Sequence, residues 1–324
     1  MKAIILAAGR SQRMQPIADK NFLEFLGKPL IAHQIKALSS AGFRDILIVG
    51  GRHNVKRLAA LGLPVREQKD LDLGMAGAIL SAAPWIKKEP FLVLSSNDVL
   101  EESAFALFRK SINDSYGLLL AQLVARYFPG GYLEIREDHS VKRIIEKPGE
   151  GREPSRFVNI VVHFHHKPAA LFEALQTSVK NAGRGADDLY ERALQELFLQ
   201  KIHYRALPYS GFWQPVKYPW HVLQLMYFYL LSIEKAFPRG RSGAKKADVA
   251  KTAVIRGPNV YLDEGVKVLD HASIVGPAYI GRNTVIANNT LVRQSHIGAD
   301  CVIGFGSEIA RSFLGSGVWT HSNY

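Results

Sequence analysis

The sequence opens with Lys2-Ala3-Ile4-Ile5-Leu6-Ala7-Ala8-Gly9-Arg10-Ser11-Gln12-Arg13-Met14, a stretch that predicts most of the N-terminal architecture. Its first residues are largely apolar, which is typical of a strand buried on both faces of a parallel sheet. Ala8-Gly9 then predicts a tight turn, in which backbone N–H groups and the Arg13 guanidinium form a phosphate-binding arrangement. One glycine-rich turn is a weak signal, and an ordinary strand–helix turn with surface arginines is the alternative.

Strands and helices alternate beyond this opening, and the middle of the chain is richer in strands. The predicted strands cover 2–7, 45–49, 91–95, 116–123, 131–136, 140–146 and 156–164, and the predicted helices cover 30–41, 54–61, 75–85, 169–177, 188–197 and 220–236. This alternation predicts a doubly wound α/β domain with its site at the carboxyl ends of the strands.

Past residue 250 the pattern changes to a six-residue period. Aliphatic residues recur at Leu262, Val268, Ile274, Ile280, Ile286 and Val292 and, after a one-residue phase slip, at Ile297, Ile303 and Ile309. A second column runs two residues earlier, from Val260 to Thr290. This period predicts a hexapeptide β-helix of about four coils, short and with an open last coil. The predicted domains are residues 1–237 and 251–324, joined by a linker at 238–250.

Composition narrows the class of protein. The chain has 324 residues, with 47% hydrophobic and 22% charged residues, as in ordinary globular proteins. The sequence has no apolar run of 18 residues and no recognisable signal peptide, so we expect no membrane association and a cytoplasmic location. A single cysteine, Cys301, excludes an internal disulfide and a cysteine-based metal cage. The net charge of +12 suits phosphorylated substrates. Nucleic acid is an unlikely partner, because the only dense basic cluster is Arg239, Arg241, Lys245 and Lys246.

The opening motif resembles the Leu-Ala-Ala-Gly-x-Gly-Thr-Arg signature of sugar-1-phosphate nucleotidyltransferases. Lys20 stands seven residues before Gly27-Lys28-Pro29, as the family's lysine does. The sequence departs from the signature at Ser11, Gln12 and Asp19. The likeness is to the N-acetylglucosamine-1-phosphate uridyltransferase and glucose-1-phosphate thymidylyltransferase group. It implies a Rossmann-like domain followed by a short left-handed parallel β-helix.

The same resemblance assigns a nucleotide site and a sugar-phosphate site. It implies that the nucleotide is bound by Leu6, Ala8, Gly9, Arg13, Gln68 and Gly74. It implies that the sugar phosphate is bound by Gly131, Glu146, Lys147 and Asn159. Asn97-Asp98 follows a predicted strand and resembles the family's Gly-Asp, so Asp98 is the expected Mg²⁺ ligand. Arg13, Lys20 and Asp98 are therefore the expected catalytic residues. Taken singly, Asp98 could be a strand-end cap, and Glu146 and Lys147 a solvated pair.

One departure bears on activity. Residues 211–220 resemble a family motif whose aspartate is the second metal ligand, and Pro215 stands in its place. The expected activity is transfer of a nucleotide, with UTP or dTTP favoured, to a sugar 1-phosphate with Mg²⁺. A non-catalytic binding relative with a depleted metal site is the alternative. A structural β-helix that forms homo-oligomers is a third hypothesis.

The histidines suggest little further chemistry. His321 and Tyr324 resemble the His-x-x-Tyr of the acetyltransferase half of the bifunctional uridyltransferases, which makes an acyltransferase site a secondary hypothesis. His163 is interpreted as a substitution on an apolar strand, and His165 and His166 as surface residues.

Overall fold

The computed structural model describes residues 1–181, 188–237 and 247–323. The basic cluster 239–246, most of the predicted linker and Tyr324 lie outside the described residues. The described residues form two compact units. Unit 1 comprises Met1–Ser11 and Ala32–Pro215, and unit 2 comprises Gln12–Ile31 with the chain from Val216. The sequence-based domain boundaries remain a prediction.

The elements are numbered in chain order. The strands of the first 215 residues are β1 Lys2–Leu6, β2 Glu24–Phe25, β3 Lys28–Pro29, β4 Asp45–Gly51, β5 Val65–Gln68, β6 Phe91–Ser95, β7 Asp98–Leu100, β8 Gly117–Leu123, β9 Gly131–Ile135, β10 Val141–Glu146, β11 Phe157–His165, β12 Tyr204–Tyr209 and β13 Trp213–Pro215. The helices are α1 Leu30–Ser40, α2 Val55–Ala59, α3 Gly74–Ile86, α4 Glu102–Ser111, α5 Pro168–Lys180, α6 Leu189–Leu199, α7 His221–Leu231 and α8 Ile233–Ala236. The C-terminal strands are β14 Asp248–Val249, β15 Val254–Arg256, β16 Val260–Leu262, β17 Lys267–Val268, β18 Ser273–Val275, β19 Ala278–Ile280, β20 Val285–Ile286, β21 Leu291–Arg293, β22 His296–Ile297, β23 Val302–Ile303, β24 Glu308–Ala310 and β25 Phe313–Leu314.

Unit 1 is built on a mixed sheet in the order β10-β9-β11-β6-β1-β4-β5, with β8 beside β11 and β12 beside β8. Strands β6, β1, β4 and β5 are parallel, and β11 runs antiparallel to β6. The chain leaves β1 for β4 and β5 on one side and then crosses to β6 on the other. This is the topological switch point of a doubly wound fold, where ligands bind at the carboxyl ends of the strands. The expected α/β architecture is confirmed.

Several elements differ from the sequence-based prediction. The predicted helix 220–236 is interrupted at Ser232, so that α7 ends at Leu231 and α8 begins at Ile233. Helix α4 was not predicted, although Ala104, Phe105 and Phe108 form a buried face at helical spacing. Strand β12 was also missed, because Pro208 lowers strand propensity and is tolerated here at the edge of the sheet. Among the described residues, no helix is both long and apolar enough to cross a membrane.

Unit 2 contains a parallel β-helix, as the six-residue period predicts. Its described strands form three sheets of four parallel strands each, which corresponds to four coils. The predicted aliphatic columns are buried inside the coil. Two threonines of the second column are also buried, and each hydroxyl donates to a backbone carbonyl: Thr284 to Gly298 O at 2.8 Å and Thr290 to Gly304 O at 2.9 Å. Their polar groups therefore enter the core with a partner.

An aromatic ladder runs along one side of the β-helix, through Phe237, Tyr261, Tyr279, His296 and Phe313. The hairpin of β2 and β3 packs on this ladder. Its Phe25 is fully buried, with ring centroids 5.1 Å from Phe313 and 4.9 Å from Tyr229.

The hairpin also makes a polar contact with the ladder. The Leu26 backbone N–H donates to His296 Nε2 at 3.2 Å. Nε2 must therefore be unprotonated, and the ring is neutral with its hydrogen on Nδ1. The segment that carries Arg13 and Lys20 is anchored to the β-helix by these contacts.

His296 makes the stability of unit 2 sensitive to pH. Burial lowers the pKa of His296 to about 4, whereas an unfolded histidine has a pKa near 6.5. Between these values the unfolded chain binds more protons, so stability is lost as the pH falls from about 6.5 towards 4. We expect the His296→Phe variant, which keeps the stacking but cannot titrate, to lose less stability than wild type across this window. The difference in slope should approach about 1.4 kcal/mol per pH unit.

Denaturant unfolding at several pH values from 4.5 to 7 measures these slopes. Phe305→Leu, a change at an exposed aromatic residue of the β-helix, is the control and should leave the wild-type slope unchanged. Equal slopes in wild type and His296→Phe would contradict the assignment.

Candidate functional site

The carboxyl ends of β1 and β6 lie side by side in unit 1, because the two strands are parallel and Leu6 is paired with Ser95. The turn after β1 is held to the sheet by the Ala7 N–H, which donates to Val49 O at 2.8 Å. A side chain at Gly9 would meet no described atom within 4 Å. Packing among the described residues therefore does not require this glycine, and the space beside the turn is open to a ligand.

Gln68, one of the residues expected to bind the nucleotide, has a structural role in this fold. It is 3% exposed at the end of β5, and its Nε2 donates to Asp70 O at 2.8 Å and to Gly74 O at 2.9 Å. The side chain thus holds the loop before α3. Gly74 has a φ of +52°, in the region that favours glycine, and it begins the helix. The assignment of Gln68 and Gly74 to nucleotide binding remains a prediction.

Asp98 begins β7, three residues after the end of β6, and is 7% exposed. Its Oδ1 accepts a hydrogen bond from the Trp213 indole N–H at 2.8 Å. The Gln34 amide donates to Asp98 O at 3.0 Å and to Ser96 O at 3.1 Å, which fixes the backbone on both sides of Asn97. The indole N–H therefore orients one oxygen of the carboxylate at the switch point of the sheet.

Pro215 lies directly opposite Asp98 in the antiparallel pair of β7 and β13. Side chains at directly opposed positions lie on the same face, with Cβ atoms about 5 Å apart. Pro215, at the position where the resemblance predicts a second aspartate, is thus the cross-strand neighbour of Asp98, the predicted Mg²⁺ ligand. A carboxylate at position 215 would stand beside that of Asp98.

Two predicted phosphate-binding cations lie in unit 2 and contact the segment that follows Pro215. The exposed Arg13 guanidinium lies over the Tyr218 ring, 5.5 Å from its centroid, and Tyr218 in turn stacks on Trp220. Lys20 is 7% exposed, and its Nζ donates to Val216 O at 3.1 Å. These contacts position the Arg13 guanidinium and the Lys20 ammonium group beside the segment 216–220.

Three of the four predicted sugar-phosphate residues converge at one end of β9, β10 and β11. Gly131 pairs with Glu146, and the pairing of Val158 with Tyr132 places Asn159 beside Gly131. A Cβ at position 131 would overlap the Glu146 carboxylate, so glycine allows that carboxylate to lie over the strand. Lys147 follows with a φ of +44°, which is unusual for a residue other than glycine. Lys147 is exposed, and its backbone N–H donates to Gly130 O at 3.1 Å, which places it beside the start of β9.

A buried chain of polar side chains extends inward from Asn159. The Asn159 Oδ1 lies 2.9 Å from His163 Nε2, and His163 Nδ1 lies 2.7 Å from the Tyr190 hydroxyl. That hydroxyl is 2.9 Å from His165 Nε2, and His165 Nδ1 is 2.8 Å from the Tyr204 hydroxyl. We call this series, from Asn159 to Tyr204, the relay.

The structure corrects the interpretation of three histidines, two of which belong to the relay. His165 is fully buried rather than on the surface, and His166 is partly buried. His163 lies on an apolar strand as expected, but it is a hydrogen-bonded group and not a substitute for an apolar side chain. Burial lowers the pKa of His163 to about 3 and that of His165 well below its ordinary value, so both rings are neutral at physiological pH. The sequence signal for this arrangement is the presence of Asn159, His163 and His165 at alternate positions of the otherwise apolar strand β11.

The predicted acyltransferase residues receive no structural assignment. His321 is exposed, and its backbone carbonyl accepts a hydrogen bond from the Ser307 hydroxyl at 3.1 Å. Tyr324 lies outside the described residues. Within the described part of the chain, no group of three or more histidine, cysteine, aspartate or glutamate residues could hold a metal ion.

Comparison with known proteins agrees with this geometry. Residues 3–128 match the family model of the MobA-like NTP transferase domain. The bifunctional protein GlmU of Methanococcus vannielii is 27% identical over 323 residues, covering 91% of this chain and 72% of the relative. A bifunctional sugar-1-phosphate nucleotidylyltransferase/acetyltransferase of Sulfurisphaera tokodaii is 27% identical and covers 98% of this chain and 79% of the relative.

Solved structures support the fold. The structure of UDP-glucose pyrophosphorylase complexed with UDP-glucose is 20% identical with a TM-score of 0.59, covering 71% of this chain and 98% of that structure. The matched family model, the curated relatives and the geometry of the switch point agree on one class of protein. Over residues 3–128 this chain is therefore similar to the MobA-like NTP transferase domain, and the relatives that it matches along most of its length are named as nucleotidyltransferases.

Proposed function

We propose that this chain transfers a nucleoside monophosphate from a nucleoside triphosphate to a sugar 1-phosphate, giving an NDP-sugar and pyrophosphate. UTP or dTTP is the favoured donor. The observation that carries the proposal is the shared edge of β1 and β6, where the open glycine turn and the Asp98 carboxylate follow adjacent parallel strands. Such an edge is where doubly wound folds bind nucleotides.

The reaction is an in-line substitution at phosphorus. An oxygen of the sugar phosphate attacks the α-phosphorus, and the bond to the bridging oxygen of the β-phosphate breaks. The protein's task is to position two anions and to reduce their repulsion. Arg13 and Lys20 would bind the triphosphate, and Lys147 would bind the phosphate of the incoming sugar. Gly131, Glu146 and Asn159 would bind the sugar.

Asp98 would hold Mg²⁺, which supplies positive charge to the α-phosphate. Mg²⁺ is commonly bound by one or two carboxylates, with water and phosphate oxygens completing its shell. A single buried carboxylate, oriented by the Trp213 indole, fits that pattern. Pro215 is the specific observation that favours the other candidate, a non-catalytic relative that binds nucleotide without turnover.

The remaining predictions belong to the same proposal. A cytoplasmic location, homo-oligomers formed through the β-helix and the lack of a nucleic-acid partner are expectations from the sequence. They fit a chain that acts on small phosphorylated substrates.

A pyrophosphate-release screen over pairs of nucleoside triphosphates and sugar 1-phosphates tests the activity. We expect one pair to release pyrophosphate in the presence of Mg²⁺, and we expect Asp98→Asn to abolish that release. The asparagine Oδ1 can still accept the Trp213 hydrogen bond, so the fold should be retained. Asp45→Asn removes an exposed carboxylate from the amino end of β4 and should leave the rate unchanged. Wild-type turnover in Asp98→Asn would exclude Asp98 as the metal ligand.

Restoring a carboxylate opposite Asp98 distinguishes the two candidate functions. In Pro215→Asp the new side chain joins Asp98 on one face, and an extra charged ligand should raise turnover at low Mg²⁺ by about tenfold. Gln214→Asp is the matched control, because successive strand residues point to opposite faces, and it should bring no gain. Rates are measured across a Mg²⁺ titration. Nucleotide binding with no turnover in the wild type, and slow turnover in Pro215→Asp, would identify the non-catalytic relative.

A further inference from the structure

We propose that His163 is a positioning residue: the relay fixes the Asn159 amide so that its Nδ2 amino group, and not its oxygen, is offered to the substrate. This inference rests on the proposed function, since the ligand concerned is the sugar 1-phosphate. It deepens that function by naming what the Asn159 position selects, which is a substrate oxygen that accepts a hydrogen bond.

The direction of the relay follows from its buried end. The Tyr204 side chain is 1% exposed, and among the described residues its hydroxyl has one hydrogen-bond partner, His165 Nδ1. If Tyr204 donates to His165, its hydrogen is satisfied. If the relay ran the other way, the Tyr204 hydrogen would be buried without an acceptor, and such a group is costly. Tyr204 is therefore the donor.

Each later bond is then determined by the one before. Because His165 Nδ1 accepts, the neutral ring carries its hydrogen on Nε2 and donates to the Tyr190 hydroxyl. Tyr190 uses its own hydrogen on His163 Nδ1, so His163 is also protonated on Nε2 and donates to Asn159 Oδ1. Each of the four hydrogens that link members of the relay has an acceptor in this direction. The polarity set at Tyr204 reaches Asn159 unchanged.

Asn159 lies at the half-buried end of the relay, beside Gly131. Its oxygen is committed to His163, and within the described residues its Nδ2 makes no hydrogen bond. The amide therefore faces the residues that are predicted to bind the sugar phosphate, and it acts there as a hydrogen-bond donor of fixed orientation. A substrate hydroxyl or acyl oxygen at this position is bound by an amide that does not have to turn, which lowers the entropic cost of binding.

The neutral state of both rings keeps this device constant across physiological pH. Burial lowers the pKa of His163 and His165 and raises that of Tyr190 and Tyr204. Glu146 and Lys147, the charged residues of the predicted sugar-phosphate site, are exposed. The relay thus acts as a fixed set of dipoles and carries no proton.

Nitrogen NMR of the histidine rings tests the polarity directly, without turnover. In the protein labelled with ¹⁵N on its histidines, we expect His163 and His165 both to be protonated on Nε2, with Nδ1 bare. Assignment uses the His163→Gln and His165→Gln variants. The reverse relay would protonate Nδ1 in both rings, so an Nδ1–H form of His163 overturns the proposal. The NMR experiment tests the polarity of the relay even if no substrate pair releases pyrophosphate.

Kinetics with the sugar 1-phosphate found by the screen test the consequence. In His163→Phe the amide loses its fixed donor, and we expect the KM for the sugar 1-phosphate to rise about tenfold while the KM for the nucleotide stays unchanged. His163→Gln restores an N–H donor and should recover most of the loss. Asn159→Asp keeps the inner oxygen but replaces the outer amino group, so it should impair the sugar KM at least as much.

The pattern across the variants separates positioning from damage to the fold. An equal rise in both KM values in His163→Phe, or no rise in either, overturns the positioning role. The positioning role is also overturned if the KM for the sugar 1-phosphate is no lower in His163→Gln than in His163→Phe. If no pair turns over, isothermal titration with the same sugar 1-phosphates replaces KM by Kd, and the same comparisons apply.

Discussion

The contact between the β2–β3 hairpin and the aromatic ladder is the constraint on which much of this structure depends. Phe25 is buried against Phe313 and Tyr229, and the Leu26 N–H is bonded to His296. These contacts assign residues 12–31 to unit 2, although β1 just before them and most of α1 just after them belong to unit 1. The loop that carries Arg13 and Lys20 is thus stabilised by a β-helix that begins more than two hundred residues later in the chain.

A second theme is the treatment of buried polar groups. Asp98 is paired with an indole N–H, Lys20 with a backbone carbonyl, and the buried threonines with carbonyls of the coil. In each of these hydrogen bonds the other group is uncharged. Each bond satisfies a buried polar atom that would be costly to leave without a partner.

The sequence was most informative where structure repeats locally. The apolar run of β1 and the six-residue columns of the coil can be recognised from neighbouring residues alone, and both were correctly predicted. The partners of the site residues could not be predicted in this way. Lys20 meets Val216 across 196 positions, and Asp98 meets Trp213 across 115, through strand registers and loop paths that propensity does not encode.

The histidines illustrate the same limit. Nothing local to His165 indicates that Tyr190 and Tyr204 will meet it from a helix and an edge strand, so a surface position was the natural expectation. Strand β12, which carries Tyr204, was not predicted either, because it contains Pro208. The composition of β11 did argue against a surface position for His165, because an exposed histidine would be unusual on an otherwise buried strand.

The hairpin's attachment to the ladder also limits how such a protein can be recombined. Suppose that the β-helix of a related chain were joined to this one in the segment between α8 and β14. The hairpin of this chain would then face an aromatic surface that comes from the other protein. The hairpin and the ladder have to be exchanged together, although the first lies near the start of the chain and the second near its end. A variant of this chain with a different coil would therefore need a matching change in the turn around Phe25.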